Sequence, residues 1–554
     1  MKGRVNRPAF FIAADEHRKG FRDILPRMIT RRAVLWISLL AAPLAAATCD
    51  GLASLKLGDT TITSAAVVPP GAFKMPANIP AGGPGGPPPF ATLPAFCRVQ
   101  GVIAPSSDSH IEFEVWLPAS GWNGKYHGEG NGGFAGSINY SALAASVLNG
   151  YASSSTDTGH QGGATDARWA LGHTEKIVDF GYRAVHETAE KSKTLISAFY
   201  GAPAKHSYFS SCSNGGRQAL MEAQRYPADY DGIIAGAPAA AFTHILVGFT
   251  SNLQALDADP ANYIPAAKYK AIETAVIAAC DARDGVKDGL IDDPTKCDFK
   301  PATLLCEGPE TAACLTQPQV TALEKIYAGP RDSRGEQIYP GFLPGGQSGP
   351  AGWGLWISGV TPTASLQYAF ATQGGANLIY QNAAWDFRAY NFDRDVKVAD
   401  DTMGQRLNAV DPNLKGLKDR GGKLILYHGW SDAALPPLGT ITYYQNVIAK
   451  MGAKQTSDFV RLYMVPGMQH CGGGPGPDSF GATPGVPHAD GGDMTAALEH
   501  WVEDRQAPGK IVTAKFDAGH IARTRPLCPY PQVARYSGSG STDDAANFTC
   551  TTGK

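Results

Sequence analysis

The sequence predicts an α/β protein in which a parallel sheet is flanked by helices and interrupted by one large insertion. Apolar runs of strand length alternate with helical patterns in the first half of the chain and again near its end. From about residue 239 to residue 395 this alternation stops. The chain has 554 residues, of which 43% are hydrophobic and 18% charged, so it can bury a large core and is too apolar to be disordered.

The elements of the sheet follow one another in a regular order. In the first half the pattern predicts strands at 110–118, 124–129, 149–155, 206–212 and 232–235, with helices at 178–199 and 215–225. Buried strands return at 423–428 and 459–465. One interrupted sheet explains this order better than two tandem domains. The predicted organisation is therefore a core at 48–238 and 396–554 that is interrupted by an insertion at 239–395.

Charge and the N-terminal segment indicate the partners and the compartment. Lys and Arg total 48 against 50 for Asp and Glu, without a long basic run, so a nucleic-acid groove or a polybasic membrane surface has no electrostatic support.

Arg31 and Arg32 precede an apolar stretch and small residues ending at Ala47. This predicts an export signal at 1–47, with Met28 as an alternative start, and a periplasmic or secreted protein. A membrane anchor is the alternative, but the apolar run is shorter than the roughly 18 residues that a span needs.

All ten cysteines follow that segment, and their even number predicts disulfides in an oxidising compartment. No CxxC spacing occurs, which argues against a zinc knuckle or a thioredoxin-like centre. Closure of short loops suggests four pairs and leaves two distant cysteines as partners. The suggested pairs are Cys49–Cys97, Cys280–Cys297, Cys306–Cys314 and Cys528–Cys550, with Cys212 and Cys471 remaining.

Three residues with catalytic chemistry follow three predicted strands. Ser213 lies between a strand and a helix in the segment SCSNGG, as a nucleophile elbow requires, although Ser211 replaces the commoner glycine two positions earlier. Asp432 follows the next-to-last strand of the core, and His470 follows the last. The order Ser, Asp, His is that of an α/β-hydrolase triad. It predicts Ser213 as nucleophile, His470 as proton shuttle and Asp432 as the group that orients the imidazole.

The neighbours of these residues extend the hypothesis. Cys212 precedes the predicted nucleophile and Cys471 follows the predicted base, so contact between serine and histidine would bring the two sulfurs together. Pairing of each cysteine elsewhere remains the alternative. For the oxyanion hole, one amide is predicted at Asn214 and the other in the loop GEGNGGF, where Gly132 is favoured and Gly133 is the second choice.

An acidic segment in the insertion predicts a calcium site. Residues 281–293 contain five carboxylates and no histidine, which suits an oxygen-coordinated cation, although the spacing departs from an EF-hand. A solvated acidic loop is the alternative, and a structural role is favoured because no nucleophile accompanies the segment. The predicted ligands are the carboxylates of Asp281, Asp284 and Asp288 with the backbone carbonyls of Val286 and Leu290.

Taken together, the CSxGG elbow, the acid after HGWS, the final His-Cys, the GNGGFAG loop and the DGVKDG segment resemble the tannase and feruloyl esterase family over nearly all of the mature chain. The resemblance implies an α/β-hydrolase core under a lid, a Cys212–Cys471 bridge beside the triad, calcium in the lid and hydrolysis of esters of aromatic acids such as ferulate or gallate. The same family includes the hydrolase of mono(2-hydroxyethyl) terephthalate.

The family motif also suggests where a substrate would lie. It places Leu435 at the acyl pocket, and an aliphatic residue there makes hydrolysis of terephthalate monoesters less expected as the main activity. Aromatic residues of the insertion are candidates for a clamp, and an arginine is a candidate anchor for a carboxylate or phenol; lid core is the alternative for each. These candidates are Trp353, Trp356, Trp385, Phe387 and Arg388.

The resulting hypothesis is a serine esterase that cleaves small aromatic esters through an acyl-enzyme. Tannase activity and hydrolysis of terephthalate monoesters are alternatives within the family. A peptidase or a lipase is a rival on the same fold, although the sequence has no long apolar lid helix typical of lipases. A rival of another class is a catalytically inactive, calcium-stabilised binding module. No nucleic-acid partner and no stable membrane association are expected.

Overall fold

In the computed structural model, which describes residues 46–76 and 90–552, the core is a nine-stranded sheet of order β1-β2-β3-β5-β4-β6-β7-β8-β9. Strands β3 to β9 include the predicted strands, within three residues at each end, and β1 and β2 add an antiparallel edge. The strands are β1 Thr60–Val68, β2 Phe96–Ile103, β3 Ile111–Pro118, β4 Lys125–Glu129, β5 Ala152–Thr156, β6 His206–Cys212, β7 Gly232–Gly236, β8 Lys423–Gly429 and β9 Val460–Val465.

The part of the sheet that carries the candidate site is parallel. Strand β5 pairs parallel with β4, and the parallel pairing continues through β6, β7 and β8 to β9, whereas β3 meets β5 in the antiparallel sense. All five residues of β7 are buried, and Leu424, Ile425 and Leu426 of β8 are fully buried. Such continuous apolar strands need helices on both faces. The predicted α/β fold is confirmed.

Helices connect and cover the strands. They are α1 Tyr140–Leu148, α2 Thr174–Val178, α3 Ala184–Tyr200, α4 Asn214–Arg225, α5 Phe242–Asp257, α6 Tyr269–Cys280, α7 Gln317–Ala328, α8 Trp353–Trp356, α9 Leu366–Gln373, α10 Asp395–Ala399, α11 Gln405–Leu407, α12 Lys415–Asp419, α13 Pro437–Met451, α14 Ala453–Ser457 and α15 Met494–Glu503. Within the described ranges, no helix is both long enough and apolar enough to cross a bilayer.

The chain between β7 and β8 forms helices and turns and adds no strand to the nine-stranded sheet. The predicted insertion lies within this stretch, and its limits as a separate lid stay a prediction. After β9 the chain adds two small hairpins, β10 Ile511–Asp517 with β11 His520–Leu527 and β12 Gln532–Tyr536 with β13 Phe548–Thr552. Residues 1–45, which hold nearly all of the predicted export signal, lie outside the described residues.

Candidate active site

Ser213 occupies a sharp turn between β6 and α4. Its φ of 66° and ψ of −125° lie in a region that side-chain-bearing residues rarely adopt. The turn depends on Gly215, because a Cβ added there would lie 1.9 Å from Ser211 Oγ. It also depends on Gly216, where a Cβ would lie 2.3 Å from the carbonyl oxygen of Gly236. These contacts give the strained strand-to-helix geometry that exposes a nucleophile above a sheet.

The three predicted catalytic side chains meet at the carboxyl ends of β6, β8 and β9. His470 Nε2 lies 2.9 Å from Ser213 Oγ, and His470 Nδ1 lies 2.8 Å from Asp432 Oδ2. The Asp432 side chain is fully buried and that of His470 is 9% exposed. A serine, an imidazole and a carboxylate in this chain of hydrogen bonds form a charge-relay geometry in which the imidazole can accept the serine proton.

Several donors hold the Asp432 carboxylate in its ionised form. Its Oδ1 accepts hydrogen bonds from the amides of Ala434 at 2.7 Å and Leu435 at 2.8 Å. Burial raises the pKa of Asp432, but the charge of His470 and hydrogen bonds from His428 and His470 outweigh burial and hold that pKa well below its usual value. The acid is therefore a permanent anion beside the imidazole.

A second histidine, which the sequence analysis did not single out, also contacts this carboxylate. His428 is buried at the end of β8, with Nε2 3.1 Å from Asp432 Oδ2 and 3.2 Å from the carbonyl of Leu435. Because both partners of Nε2 are acceptors, Nε2 carries the proton and Nδ1 accepts from the Thr440 hydroxyl at 2.7 Å. The sequence signal was present, since His428 ends the strand four residues before the predicted acid.

A disulfide joins the turn that carries the serine to the loop that carries the histidine. Cys212 and Cys471 are bonded, with their Cα atoms 6.0 Å apart. The other four bridges have the pairs that closure of short loops suggests, and the described residues contain no free cysteine. The Cys212–Cys471 bridge links two segments 259 residues apart in sequence immediately beside the triad.

The glycine-rich loop after β4 lies against the start of α4. Asn214 Nδ2 donates to the carbonyl of Asn131 at 3.4 Å, and the amide of Asn131 donates to Gln218 at 3.0 Å. In the described part of the chain, the amide of Gly132 donates no hydrogen bond, and a Cβ on Gly132 would face open space. The amides of Gly132 and Asn214 therefore lack an acceptor among the described residues, and their role in an oxyanion hole stays a prediction.

Beneath this turn, Arg217 is fully buried, and no carboxylate of the described residues forms an ion pair with it. Its guanidinium donates to Asn214 Oδ1 at 2.8 Å and to the carbonyls of Gly181 and Phe180 at 2.7 and 3.0 Å. Its charge also faces the rings of Phe180 and Phe242. Burial lowers its pKa to about 9, which still leaves the group charged at neutral pH. Arg217 therefore holds the Asn214 side chain and places a positive charge one helical turn from the nucleophile.

A family model described as tannase and feruloyl esterase matches residues 97–551, which include the serine, the acid and the histidine. The chain belongs to the tannase and feruloyl esterase family. It is 42% identical to an uncharacterized esterase of Xanthomonas campestris pv. campestris, over 95% of this chain and 94% of that one. It is 35% identical to the mono(2-hydroxyethyl) terephthalate hydrolase of Piscinibacter sakaiensis, over 83% and 85% of the two chains.

The fold of this esterase is similar to a crystal structure of feruloyl esterase B from Aspergillus oryzae. The TM-score is 0.82 at 28% identity, and the match covers 91% of this chain and 99% of that one. The likeness therefore includes the helical stretch between β7 and β8 as well as the sheet, because either part alone is too short to give this coverage.

The aromatic residues predicted to contact substrate occupy different environments in this esterase. Trp353 is 1% exposed and packs edge-on against Tyr269, Tyr327 and Phe342, so it lies in the core of the insertion rather than at a pocket. Trp385 is half-buried and stacks on Tyr380.

The remaining predicted contacts divide between surface and core. Arg388 is exposed and pairs with Asp386, with its guanidinium over the Phe387 ring, which is itself buried. Within the described part of the chain, no hydrogen bond or ion pair links Arg388 to the triad, and its anchoring role stays a prediction. Leu435 is 5% exposed and offers its amide to the acid.

Trp356, rather than Trp353, reaches the triad. Its ring lies edge-on to the His470 ring at 5.0 Å and parallel to the Phe370 ring at 6.2 Å. Phe370 in turn meets Phe134, the residue after the glycine pair of the β4 loop, at 5.1 Å. Leu435 and Phe134 belong to the same apolar cluster. An aromatic and aliphatic wall thus runs from the glycine-rich loop to the imidazole.

The acidic segment of the insertion has the donors that a calcium ion requires. Asp292, which was not among the predicted ligands, is 4% exposed, and neither of its carboxylate oxygens has a hydrogen-bond partner among the described residues. Burial raises the pKa of Asp284 to about 6 and that of Asp292 to about 7. A buried carboxylate without partners, as at Asp292, is expensive unless a cation lies beside it, so the residues of this segment fit a calcium ion.

One member of the predicted set has another partner. Asp288 forms an ion pair with Arg525 of β11, and both side chains are 1% exposed. Asp281 accepts hydrogen bonds from the amides of Asp288 at 3.2 Å and Gly289 at 3.1 Å. Val286 of the same segment packs with Phe548 of β13. The acidic segment therefore joins the insertion to the C-terminal hairpins.

Proposed function

We propose that this esterase hydrolyses esters of aromatic carboxylic acids through a covalent acyl-enzyme on Ser213. The contact between Ser213 Oγ and His470 Nε2 at 2.9 Å, with Asp432 behind the imidazole, carries the proposal. Relatives named feruloyl esterase and mono(2-hydroxyethyl) terephthalate hydrolase support an aromatic acyl group. Both names describe esters in which the carbonyl is attached to, or conjugated with, a flat ring.

The reaction follows from the arrangement of the three side chains. Ser213 Oγ attacks the ester carbonyl while His470 Nε2 takes the hydroxyl proton, and His470 then gives that proton to the departing alcohol oxygen. A water molecule repeats the sequence on the acyl-enzyme, with His470 again as the base, and releases the acid. Asp432 stays ionised throughout and stabilises the imidazolium that forms in each half-reaction.

The negative oxygen of each tetrahedral intermediate needs donors that are already in place. The amides of Asn214 and Gly132 fill this role in the proposal, because both lie beside the nucleophile turn and neither has another acceptor in the described residues. The charge of Arg217 favours an anion at the same end of α4. Loss of one such donor typically costs about 100-fold to 1000-fold in kcat.

The wall of Trp356, Phe370 and Phe134 supports an aromatic acyl moiety over an aliphatic one. Its half-buried Trp356 ring stands beside the imidazole, where the acyl carbonyl must lie, so a flat ring could stack along it. Leu435, in the loop that carries Asp432, packs in the same apolar cluster as Phe134. Hydroxycinnamate and gallate esters fit this description, and terephthalate monoesters remain the second candidate because of the relative that bears that name.

Calcium and export complete the proposal. Asp281, Asp284, Asp288 and Asp292 with the carbonyls of Val286 and Leu290 would hold a calcium ion, whose double charge would offset part of the negative charge of these carboxylates without entering the reaction. Five disulfides without a free cysteine in the described residues support export to an oxidising compartment, periplasmic or extracellular.

A panel of esters tests the activity. We expect the purified protein to hydrolyse methyl ferulate and methyl gallate with higher kcat/KM than p-nitrophenyl palmitate, and to leave a peptide substrate intact. The same panel includes mono(2-hydroxyethyl) terephthalate, so that hydrolysis of terephthalate monoesters, the second candidate activity, can be compared directly. We expect Ser213→Ala to reduce kcat by about 10⁴-fold or more and to abolish labelling by a fluorophosphonate. A fast reaction of the alanine variant, or preference for the palmitate ester, would refute the proposal; binding without turnover would favour the inactive module.

A further inference from the structure

A second cluster of metal-ligating side chains lies away from the triad. His186 of α3, Glu222 of α4 and Asp229 of the loop between α4 and β7 converge, and each offers one ligand atom within 4.8 Å of the others. Glu222 lies eight residues after the start of α4, about 12 Å along the helix axis. Among the described residues, the hydrogen bonds and ion pairs of the cluster do not reach the triad, so we assign the cluster no part in the proposed reaction.

The buried carboxylate of Glu222 is the unfavourable group of the cluster. It is 1% exposed, and neither of its carboxylate oxygens has a hydrogen-bond partner among the described residues. The Asp229 carboxylate is also buried and lies beside it. Two buried carboxylates this close repel each other unless a proton or a cation lies with them.

The surrounding groups favour a cation with nitrogen affinity. His186 Nδ1 lies 2.6 Å from Asp229 Oδ2, and the Tyr226 ring stacks on the imidazole at 3.7 Å and fixes its plane. The His186 side chain is 22% exposed, which leaves a route for an ion and for water ligands. Lys193 also pairs with Asp229, at 3.7 Å, and its Nζ donates to the carbonyl of Ala228 at 3.2 Å.

We propose that His186, Glu222 and Asp229 bind one divalent first-row transition ion such as Zn²⁺, with water completing the coordination shell. One imidazole with two carboxylates suits Zn²⁺ better than Ca²⁺, which prefers six to eight oxygen ligands. Tetrahedral coordination separates ligand atoms by about 3.3 Å, so the short contact between His186 and Asp229 opens slightly when the ion enters. The ion fastens α3 to α4 and to the loop before β7, and so acts on stability rather than on the triad.

The test uses the full-length mature protein in excess Ca²⁺, with Zn²⁺ alone as the added probe. We expect one Zn²⁺ per chain after dialysis, measured by mass spectrometry, and a higher melting temperature than in Zn²⁺-free buffer. Replacement by Co²⁺ should give the visible absorption of four- or five-coordinate cobalt. We expect His186→Gln and Glu222→Gln each to weaken Zn²⁺ binding by about 100-fold or more, since even loss of an outer partner of a metal ligand costs 10- to 100-fold.

Matched controls separate this site from adventitious binding. His173→Gln removes a histidine that pairs with Asp108 at the surface without a third ligand, and we expect it to bind Zn²⁺ like the parent chain. Glu222→Gln keeps the shape of the side chain and removes a buried charge, so it should fold, which circular dichroism verifies. Equal Zn²⁺ affinity in the parent and in Glu222→Gln, or no bound ion in the parent, would overturn the proposal and leave a carboxyl pair that shares a proton.

Discussion

At the nucleophile, the Ser211 side chain leaves no room for a side chain at Gly215. An added Cβ would lie 1.9 Å from Ser211 Oγ, on the turn that already holds Ser213 at a φ of 66°. We therefore expect Gly215→Ala to shift the serine and lower kcat by about 100-fold, the order that a misplacement of 1 Å can cost. Gly509→Ala is the control, because an added Cβ there meets nothing within 4 Å. Esterase assays with circular dichroism separate this effect from unfolding; an active Gly215→Ala would contradict it.

His160 makes the loop beside the active site sensitive to acid. Its ring is buried against Trp169, its Nε2 donates to the carbonyl of Phe134 at 2.8 Å, and burial lowers its pKa to about 4. In the unfolded chain the histidine takes up a proton near pH 6.5. The stability that neutral His160 contributes is therefore fully present above that pH and is lost as the pH falls through the pKa of about 4 in the folded chain. The loss between pH 7 and pH 4 is roughly 3 kcal/mol.

Glutamine at position 160 cannot titrate in this range, so the variant isolates this contribution. We expect the unfolding free energy of the parent chain to fall by roughly 3 kcal/mol more than that of His160→Gln between pH 7 and pH 4. Denaturant titrations at several pH values give the unfolding free energy of each chain, and the dependence of that free energy on pH is then compared. His500→Gln, which alters an exposed histidine of α15, should follow the parent chain. Parallel pH profiles for the parent and His160→Gln would contradict this explanation.

Among the elements, the β6–α4 turn and the loop after β9 are fastened to each other by the Cys212–Cys471 bridge. In the chain-entropy picture, a link across 259 residues stabilises the fold by about 5 kcal/mol. Its position beside both Ser213 and His470 gives it a second effect, since it limits the relative movement of the two loops.

We expect the double variant Cys212→Ala, Cys471→Ala to lose at least about 10-fold in kcat at a temperature where it remains folded, in addition to its lower melting temperature. Removal of the Cys306–Cys314 bridge, which closes a short loop in the insertion, serves as the control and should leave kcat unchanged. Full activity of the folded double variant would show that packing alone aligns the triad.

The same elements show what the sequence could predict. Each member of the triad follows a strand. Strands β8 and β9 are largely apolar runs, and the elbow motif marks the end of β6, so Ser213, Asp432 and His470 could be placed on one edge before the structure was known. Cys212 and Cys471 added a separate constraint. Local patterns were sufficient because the parallel strands of one sheet place their carboxyl ends, and the loops that follow them, at the same edge.

The wall of the pocket could not be predicted in this way. Trp353 and Trp356 are three residues apart on α8, yet one is buried in the insertion and the other stands beside His470. Which face of this one-turn helix meets the triad depends on how the insertion packs on the sheet, and four residues carry no periodic signal. The bond from His428 to Asp432 was missed for a related reason, since buried histidines at strand ends are common.

For the whole molecule, the proposed calcium ion would connect parts that are distant in sequence. The acidic segment lies in the insertion, its Asp288 pairs with Arg525 of β11, and Val286 packs with Phe548 of β13. Without a cation, the two buried oxygens of Asp292 have no hydrogen-bond partner among the residues that the structure describes. Folding of the insertion and of the C-terminal hairpins should therefore depend jointly on this site.

We expect chelation of Ca²⁺ by EGTA in Mg²⁺ buffer to lower the melting temperature by on the order of 5 °C, as expected when a ligand at about 100 times its Kd is removed. Asp292→Asn should lower the calcium-dependent part of that shift, whereas Asp401→Asn, an exposed partner of Lys397, should not. Fluorophosphonate labelling of Ser213 at 20 °C should be the same with and without EGTA, because the ion only supports the fold. Equal melting temperatures would remove the calcium proposal, and lost labelling in a folded protein would assign the ion to the active site.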